Sequence, residues 1–124
     1  MARIEDDRPY AWGQLYAALL AIKGLAKTGR VEPVAPRQLE ATARNPRNIC
    51  WALLAEAAQQ AFLARERGGT VADAAVVVMT DAIRLIPARR VSRGGLDQKQ
   101  TEEFRRGYEA QLAEYRKAWE GLVG

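Results

Sequence analysis

Apolar residues recur at spacings of three and four along most of this chain, which is the period of amphipathic α-helices. Between Pro9 and Lys27 they are Trp12, Leu15, Tyr16, Leu19, Ile22 and Ala26. Pro9 suits a first helical position, because the amide proton that proline lacks would have no partner there. Thr28-Gly29 and the two following prolines stop the pattern, so we predict a connection over residues 28–36 and a short helix over residues 37–44.

The next helix is predicted to begin at Asn45-Pro46 and to continue to Arg67, before two glycines end it. One face of this helix carries Ile49, Cys50, Leu53, Leu54, Ala57, Ala61 and Phe62. Small alanines on that face allow a neighbouring helix to approach closely, so we expect this to be the central helix of the fold. Trp51 lies off the face, and it either packs in a second layer or meets a partner.

A helix over residues 70–86 follows, with Thr70 and Asp73 resembling a capping box and Pro87 beyond its end. Its predicted inner positions are Val71, Ala74, Ala75, Val78, Ala82 and Leu85. The run of three valines over residues 76–78 also has strand propensity. It lies within a helical period that has boundary signals at both ends, so we predict a helix here.

Asp97 and Gln100 form the start signal of a last helix, whose inner face carries Phe104, Tyr108, Leu112, Tyr115, Trp119 and Leu122. We interpret these aromatic residues, together with Trp12 and Tyr16 of the first helix, as core residues rather than as platforms for nucleic-acid bases. The expected fold class is all-α: a single helical-bundle domain over residues 1–124, with four longer helices and one short helix. Residues 1–8 are expected to form a flexible N-terminus.

The composition lacks most of the side chains on which catalysis depends. The chain has no histidine, the commonest general base and metal ligand, and its single cysteine, Cys50, lies in an apolar segment. There is no glycine-rich phosphate loop and no carboxylate set with metal-ligand spacing. We therefore expect no enzymatic activity, no cofactor and no metal. Without a signal sequence or a long apolar run, we expect a cytoplasmic location and no membrane contact.

Positive charge is concentrated in two segments of a chain whose formal net charge is +4. Residues 23–47 contain six basic and two acidic residues, and residues 82–96 contain four arginines and no acidic residue. Fifteen of the nineteen basic residues are arginine, whose planar guanidinium suits bidentate phosphate contact. The candidate nucleic-acid-binding residues are Lys23, Lys27, Arg30, Arg44, Arg47, Arg84, Arg89, Arg90 and Arg93.

The charges of the last helix are expected to neutralise one another instead. At one-turn spacing, side chains of opposite charge lie close together on a helix surface. The expected pairs are Lys99 with Glu103, Glu102 with Arg106, Glu114 with Lys117, and Arg116 with Glu120. This face is therefore interpreted as a solvated surface rather than a binding surface.

Two short motifs and one helix start are similar to those of a known family. The first helix contains Tyr10-Ala-Trp-Gly13-Gln14-Leu15-Tyr-Ala17-Ala-Leu19, the last contains Phe104-x-x-Gly107-Tyr108-x-x-Gln111, and Ala43-Arg44-Asn45-Pro46 lies between them. In this order they resemble the C-terminal region of the large subunit of type I-C CRISPR effector complexes. In that family the region is also made as a separate protein, the small subunit of Cascade. Gln14 departs from the family pattern, where arginine is usual, and so does Thr101, where glutamine is common.

The resemblance implies a subunit of a CRISPR ribonucleoprotein. Its partners would be the backbone and large subunits of the effector, another copy of itself, guide RNA and target DNA. It would lie along the guide-RNA filament and hold the target or displaced DNA strand during R-loop formation. Base pairing reads the sequence in such complexes, so the protein needs only sequence-independent phosphate contacts. We interpret Gly13, Gly107, Tyr108 and Gln111 as architectural residues.

The alternative is a helical adaptor that scaffolds a complex without touching nucleic acid. In that case exposed apolar residues such as Trp51 or Leu63 would matter, and the arginines would not. An enzyme would need a cofactor to supply chemistry that these side chains lack.

Overall fold

Five α-helices make up the computed structural model, which describes residues 9–87 and 95–124. They are α1 (Pro9–Lys27), α2 (Pro36–Ala43), α3 (Pro46–Glu66), α4 (Gly69–Leu85) and α5 (Gln98–Ala118). Over these residues there is no β-strand, and an isolated β-bridge joins Val31 to Val123. The all-α prediction is confirmed, and the valines of α4 are helical. The expected flexible N-terminus, residues 1–8, lies outside the described residues.

The central helix is α1, and the prediction that α3 would be central is wrong. Eleven of the nineteen residues of α1 are buried, compared with four of the twenty-one residues of α3. Helix α1 packs against α3, α4 and α5. Its alanines at positions 17, 18 and 21 are buried beside its large side chains, so it is enclosed on most of its circumference. Helix α3 buries only a narrow stripe and lies at the surface.

Local signals located the helix starts, although not every predicted cap forms. The Asp97 carboxylate accepts a hydrogen bond from Gln100 N (2.8 Å), and the Gln100 side chain accepts one from Asp97 N (3.0 Å), so this capping box is confirmed. The capping box predicted at Thr70 is wrong, because α4 begins at Gly69 without a side-chain cap. Gly68 and Gly69 both have positive φ, and they form the tight turn between α3 and α4.

Helices α1 and α5 cross in close contact at two glycines. A methyl group at Gly13 would overlap the carbonyl oxygen of Phe104, and one at Gly107 would overlap the carbonyl oxygen of Tyr10. Beside the crossing, Gln14 Nε2 donates to Gln111 Oε1 (3.3 Å). The architectural interpretation of these residues is confirmed.

Three buried tyrosines join separate elements through their hydroxyl groups. Tyr16 accepts hydrogen bonds from two side chains of α2, Tyr108 accepts one from Val34 N (2.9 Å), and Tyr115 donates one to Asp81 of α4 (2.9 Å). Burial raises the pKa of both Tyr108 and Tyr115 above the ordinary tyrosine value. The aromatic core prediction is confirmed for these residues and for Phe104. Trp119 is only half-buried, and it lies just beyond the end of α5.

Candidate nucleic-acid interface

The single cysteine of the chain lies in the interior of the bundle. Cys50 is buried, and burial raises the pKa of its thiol to about 12, so almost no nucleophilic thiolate exists at neutral pH. Among the described residues, no three side chains of the metal-binding types lie together. No helix of the described chain is long and apolar enough to cross a membrane.

Arg67 fixes the position of the first basic residues relative to α3. Its guanidinium donates to the carbonyl oxygens of Ala26 (3.3 Å) and Lys27 (2.9 Å), so the C-terminal ends of α1 and α3 lie side by side. Lys27 is exposed at this end, and Lys23 is half-buried one turn before it. Arg65 is exposed in the last turn of α3. We call Lys23, Lys27 and Arg65 the α1 cluster.

Sequence reasoning missed Arg65 because it lies outside both basic segments. The signal that could have found it is the Gly68-Gly69 helix stop, which places Arg65 in a last helical turn. Arg67 was also missed, because its role depends on two carbonyl groups of another helix.

Arg44 and Arg47 lie at the opposite end of α3. Arg44 follows α2 directly, and Arg47 is the second residue of α3. A rise of about 1.5 Å per residue places Arg47 about 30 Å from Arg67 along the helix axis. The basic segment 23–47 is continuous in the sequence, but the fold divides it between two ends of the bundle.

The second basic segment, residues 82–96, is connected to the end of the bundle at which α3 begins and at which Arg44 and Arg47 lie. Helix α4 follows α3 through a two-glycine turn, so it returns toward the start of α3, and Arg84 is exposed in its last turn. Beyond residue 94, Leu96 N donates to Ala43 O (3.0 Å). Gly95 packs so closely that a Cβ atom there would lie 2.7 Å from Arg44 O. We call Arg44, Arg47 and Arg84 the α3 cluster; Arg89, Arg90 and Arg93 lie outside the described residues.

Carboxylate partners separate the candidate residues into two groups. Arg30 contacts Glu32 (3.5 Å) and donates to Gly121 O (3.2 Å), and Arg84 lies 3.8 Å from the Asp81 carboxylate. Within residues 9–87 and 95–124, no carboxylate oxygen lies within 4 Å of the other four described candidates, Lys23, Lys27, Arg44 and Arg47. These four therefore offer the least neutralised positive charge.

The ion pairs of α5 differ from the predicted ones. Arg105 contacts Glu102 and also Glu109 (3.1 Å), and hydrogen bonds to these two carboxylates raise the pKa of Arg105. In the described part of the chain, none of the four predicted pairs of α5 comes within 4 Å, and Arg116 donates to Gly124 O (3.3 Å) instead. Glu102 lies three residues before Arg105 and Glu109 lies four residues after it, so Arg105 can contact both carboxylates at once.

Large apolar side chains on α3 face solvent. Trp51 is 70% exposed, Phe62 is 66% exposed and Leu63 is 50% exposed. The assignment of Phe62 to the inner face is wrong. The core-facing positions of α3 are Cys50, Ala57 and Ala64, and Phe62 lies two residues before the last of these, on the far side of the helix.

The two motifs that carry the family resemblance meet in space. Both contribute to the crossing of α1 and α5, where Gly13 and Gly107 each face the backbone of the other helix. No protein-family model, curated protein or solved structure matches the chain. The resemblance therefore stays a prediction from the sequence.

Proposed function

We propose that the chain is a small subunit of a type I CRISPR effector complex, similar to that of type I-C, and that it holds nucleic acid through sequence-independent phosphate contacts. The observation that carries the proposal is the set of four basic side chains that no carboxylate of the described residues neutralises: Lys23, Lys27, Arg44 and Arg47. Two of the four, Lys27 and Arg44, are exposed. Arg44 and Arg47 also flank the start of α3, where unpaired backbone amides favour an anion.

The separation of the two clusters favours an extended partner. A gap of about 30 Å along α3 corresponds to about nine base pairs of a B-form duplex, at about 3.4 Å per base pair. One polyanionic backbone of that length or more can contact both ends of the bundle. Phosphate contacts of this kind release bound counterions and do not distinguish sequences, which suits a subunit that leaves recognition to the guide RNA.

The internal architecture agrees with a role in an assembly. The two glycines of the helix motifs that resemble the CRISPR family, Gly13 and Gly107, lie inside the bundle at the α1–α5 crossing, whereas Arg44 of the third matching stretch is exposed at the start of α3. The shared residues thus hold the helices together, and the exposed charge is left available for a partner. In this proposal the helix motifs serve the fold, and the basic ends of the bundle serve the contact with nucleic acid.

The proposal is tested by the salt dependence of DNA binding. Affinity of the purified chain for labelled single-stranded DNA is measured by fluorescence anisotropy at several salt concentrations. If phosphates are the partner, log affinity falls linearly with log salt, with a slope of about 0.7 for each phosphate neutralised on a single strand. Replacing Lys27 and Arg47 together by glutamine should lower both the affinity and this slope, with little dependence on sequence.

Arg105→Gln provides the matched control, because two glutamates already neutralise Arg105. It removes positive charge from the same protein, and its effect should be much smaller. The control removes one charge and the double variant removes two, so a control loss of half or more of the double variant's loss would show that only net charge matters. Unchanged binding in a folded double variant would contradict the proposed interface.

A scaffolding adaptor is the second candidate function, and the exposed Trp51 and Phe62 favour it. An adaptor of this kind should not bind the labelled single-stranded DNA, even at low salt. Replacing Trp51 and Phe62 by alanine should instead abolish its assembly with a protein partner. The same anisotropy measurement therefore separates the two functions.

A further inference from the structure

Trp51 is the most exposed large apolar side chain of the described residues. It is 70% exposed, and it does not pack against the hydrophobic core. It also takes part in none of the aromatic ring pairs within residues 9–87 and 95–124. An indole ring is stabilised by burial of its large apolar surface, and in Trp51 most of that surface is left in water. The packing of the bundle therefore does not explain a tryptophan at this position.

Arg47 lies one turn before Trp51 on the same helix. Residues four apart extend from the same side of a helix, with their Cβ atoms about 5–6 Å apart. Arg47 is half-buried, and the exposed Arg44 lies just before the helix. Neither arginine has a carboxylate of the described residues within 4 Å. An exposed aromatic ring thus lies beside positive charge that the described chain does not neutralise.

Acidic side chains of α3 lie away from Trp51. Its neighbours at one-turn spacing include the exposed Asn48 and Ala55. The nearest acidic residue in the sequence is Glu56, five positions later. At about 100° per residue, these five positions rotate Glu56 about 140° around the helix axis. An anion can therefore approach Trp51 and Arg47 together without meeting a carboxylate of this helix.

We propose that Trp51 and Arg47 form a binding site for an unpaired nucleotide, in which the indole stacks on the base and the guanidinium contacts a phosphate. A nucleotide carries a flat apolar ring and an anionic group at a separation similar to that of the two side chains. The bases of a duplex are covered by one another, so the site favours a single strand. This inference rests on the proposed function and adds a base contact to it. The contact is tolerant of sequence, because every base has a π-face.

Phe62, near the other end of α3, lacks this combination of ring and charge. It is 66% exposed and lies eleven positions after Trp51, about three full turns, so both rings extend from the same side of the helix. Arg65 and Glu66 follow Phe62 by three and four positions, and their opposite charges offset each other beside the ring. Phe62 is therefore a matched control, because it has similar exposure on the same helix without excess positive charge.

A protein surface fits the site at Trp51 less well than a nucleotide does. An apolar partner that covered the indole would also approach Arg47, whose charge would lose hydration without gaining a counterion. A nucleotide avoids this cost, because its phosphate is the counterion. In the adaptor function Trp51 and Phe62 act alike, so comparing these two residues distinguishes a protein partner from a nucleotide.

The test compares three fluorescent probes with the same number of nucleotides. They are oligo-deoxythymidine, the same backbone with abasic sites in place of the bases, and a duplex. Affinities of the full chain are measured by anisotropy at low salt. The abasic probe keeps every phosphate and removes only the bases. We expect the wild-type chain to bind oligo-deoxythymidine about fivefold to tenfold more tightly than the abasic probe, which is the lower end of the contribution of one stacked base.

Trp51→Leu should remove this preference for bases. Leucine is apolar and favours helices, and Trp51 lies outside the core, so the variant should fold normally by circular dichroism. Its affinity for the abasic probe and the duplex should be unchanged, as should the salt slope, because the phosphate contacts remain. Trp51→Tyr keeps an aromatic ring and should retain most of the preference. Phe62→Leu should leave the preference nearly intact.

Three results would overturn the site. They are equal wild-type affinities for oligo-deoxythymidine and the abasic probe, a preference that persists in Trp51→Leu, or equal losses in Trp51→Leu and Phe62→Leu. In each case the salt-dependent binding of the abasic probe would still support phosphate contact, so the proposed function would stand. A chain that binds none of the three probes would overturn the proposed function as well, and it would leave both exposed rings to a protein partner.

Discussion

Gly13 of α1 and Gly107 of α5 lie at the same helix crossing, and each faces a backbone carbonyl of the other helix. A methyl group at Gly107 would overlap the carbonyl oxygen of Tyr10, so alanine there must push the two helices apart. We predict that Gly107→Ala lowers the free energy of unfolding by about 1–3 kcal/mol, although alanine has the higher helix propensity. Urea denaturation followed by circular dichroism measures this change.

Gly121→Ala is the control for this substitution. No atom lies within 4 Å of a Cβ built at Gly121, and its φ is not positive, so its replacement should leave stability almost unchanged. A Gly107→Ala variant as stable as the wild type would show that the crossing is not close.

Tyr16 is predicted to stabilise the position of α2 through its hydroxyl group. Its oxygen accepts hydrogen bonds from Thr42 Oγ1 (3.0 Å) and Gln38 Nε2 (3.3 Å), and Thr42 is buried. Tyr16→Phe keeps the ring but leaves the Thr42 hydroxyl without this partner, which should lower stability by about 1–3 kcal/mol. Thermal unfolding of Tyr16→Phe is compared with that of Tyr10→Phe, because Tyr10 is 40% exposed. If both variants lose the same stability, the buried hydrogen bonds contribute nothing specific.

Stability is predicted to fall at alkaline pH because of the buried thiol. Burial raises the pKa of Cys50 from 9.0 to about 12, so above pH 9 the unfolded chain releases a proton that the native chain retains. The free energy of unfolding should be insensitive to this group below pH 9 and should decrease between about pH 9 and pH 12. Tyr108 and Tyr115, whose pKa values are also raised, act in the same direction.

The contribution of the thiol can be isolated with Cys50→Ala. Urea midpoints of wild type and variant are compared on both sides of pH 9. The decrease in stability above pH 9 should be smaller in the variant than in the wild type. The decrease that the variant still shows is attributed to Tyr108 and Tyr115. Identical pH profiles would mean that the Cys50 thiol is not protected in the folded state.

The two basic clusters predict a length threshold for duplex binding. A hairpin stem shorter than about nine base pairs can reach only one cluster, since the two lie about 30 Å apart. Affinity at low salt should therefore rise more steeply once the stem exceeds that length. Replacing both Lys23 and Lys27 by glutamine should remove the additional rise while leaving binding to short stems at Arg44 and Arg47. A smooth length dependence, identical in wild type and variant, would contradict two separate clusters.

Local sequence signals were sufficient to predict where the helices lie along the chain. The start at Pro9, the stop at Gly68-Gly69 and the capping box of Asp97 each depend on residues within one turn, and the structure confirms them. The inner face of α4 was predicted correctly for the same reason, because its buried residues follow a regular period.

Relations between helices could not be predicted in this way. The central position of α1 and the exposure of Phe62 depend on which helices pack together, and the apolar period of each helix is compatible with several arrangements. The candidate interface shows the same limit. Lys27 and Arg44 are seventeen positions apart in one basic segment, yet the fold separates them along the length of α3.

The contact between Arg67 and the end of α1 affects the electrostatic field around Lys27. The aligned peptide dipoles of a helix place roughly half a negative charge at its C-terminus, which would repel a polyanion. The Arg67 guanidinium lies on the last carbonyl groups of α1 and compensates this charge. Arg67 therefore serves as the counterion of a helix dipole. Its loss would weaken the attraction of Lys27 for phosphate, although Arg67 itself need not touch the nucleic acid.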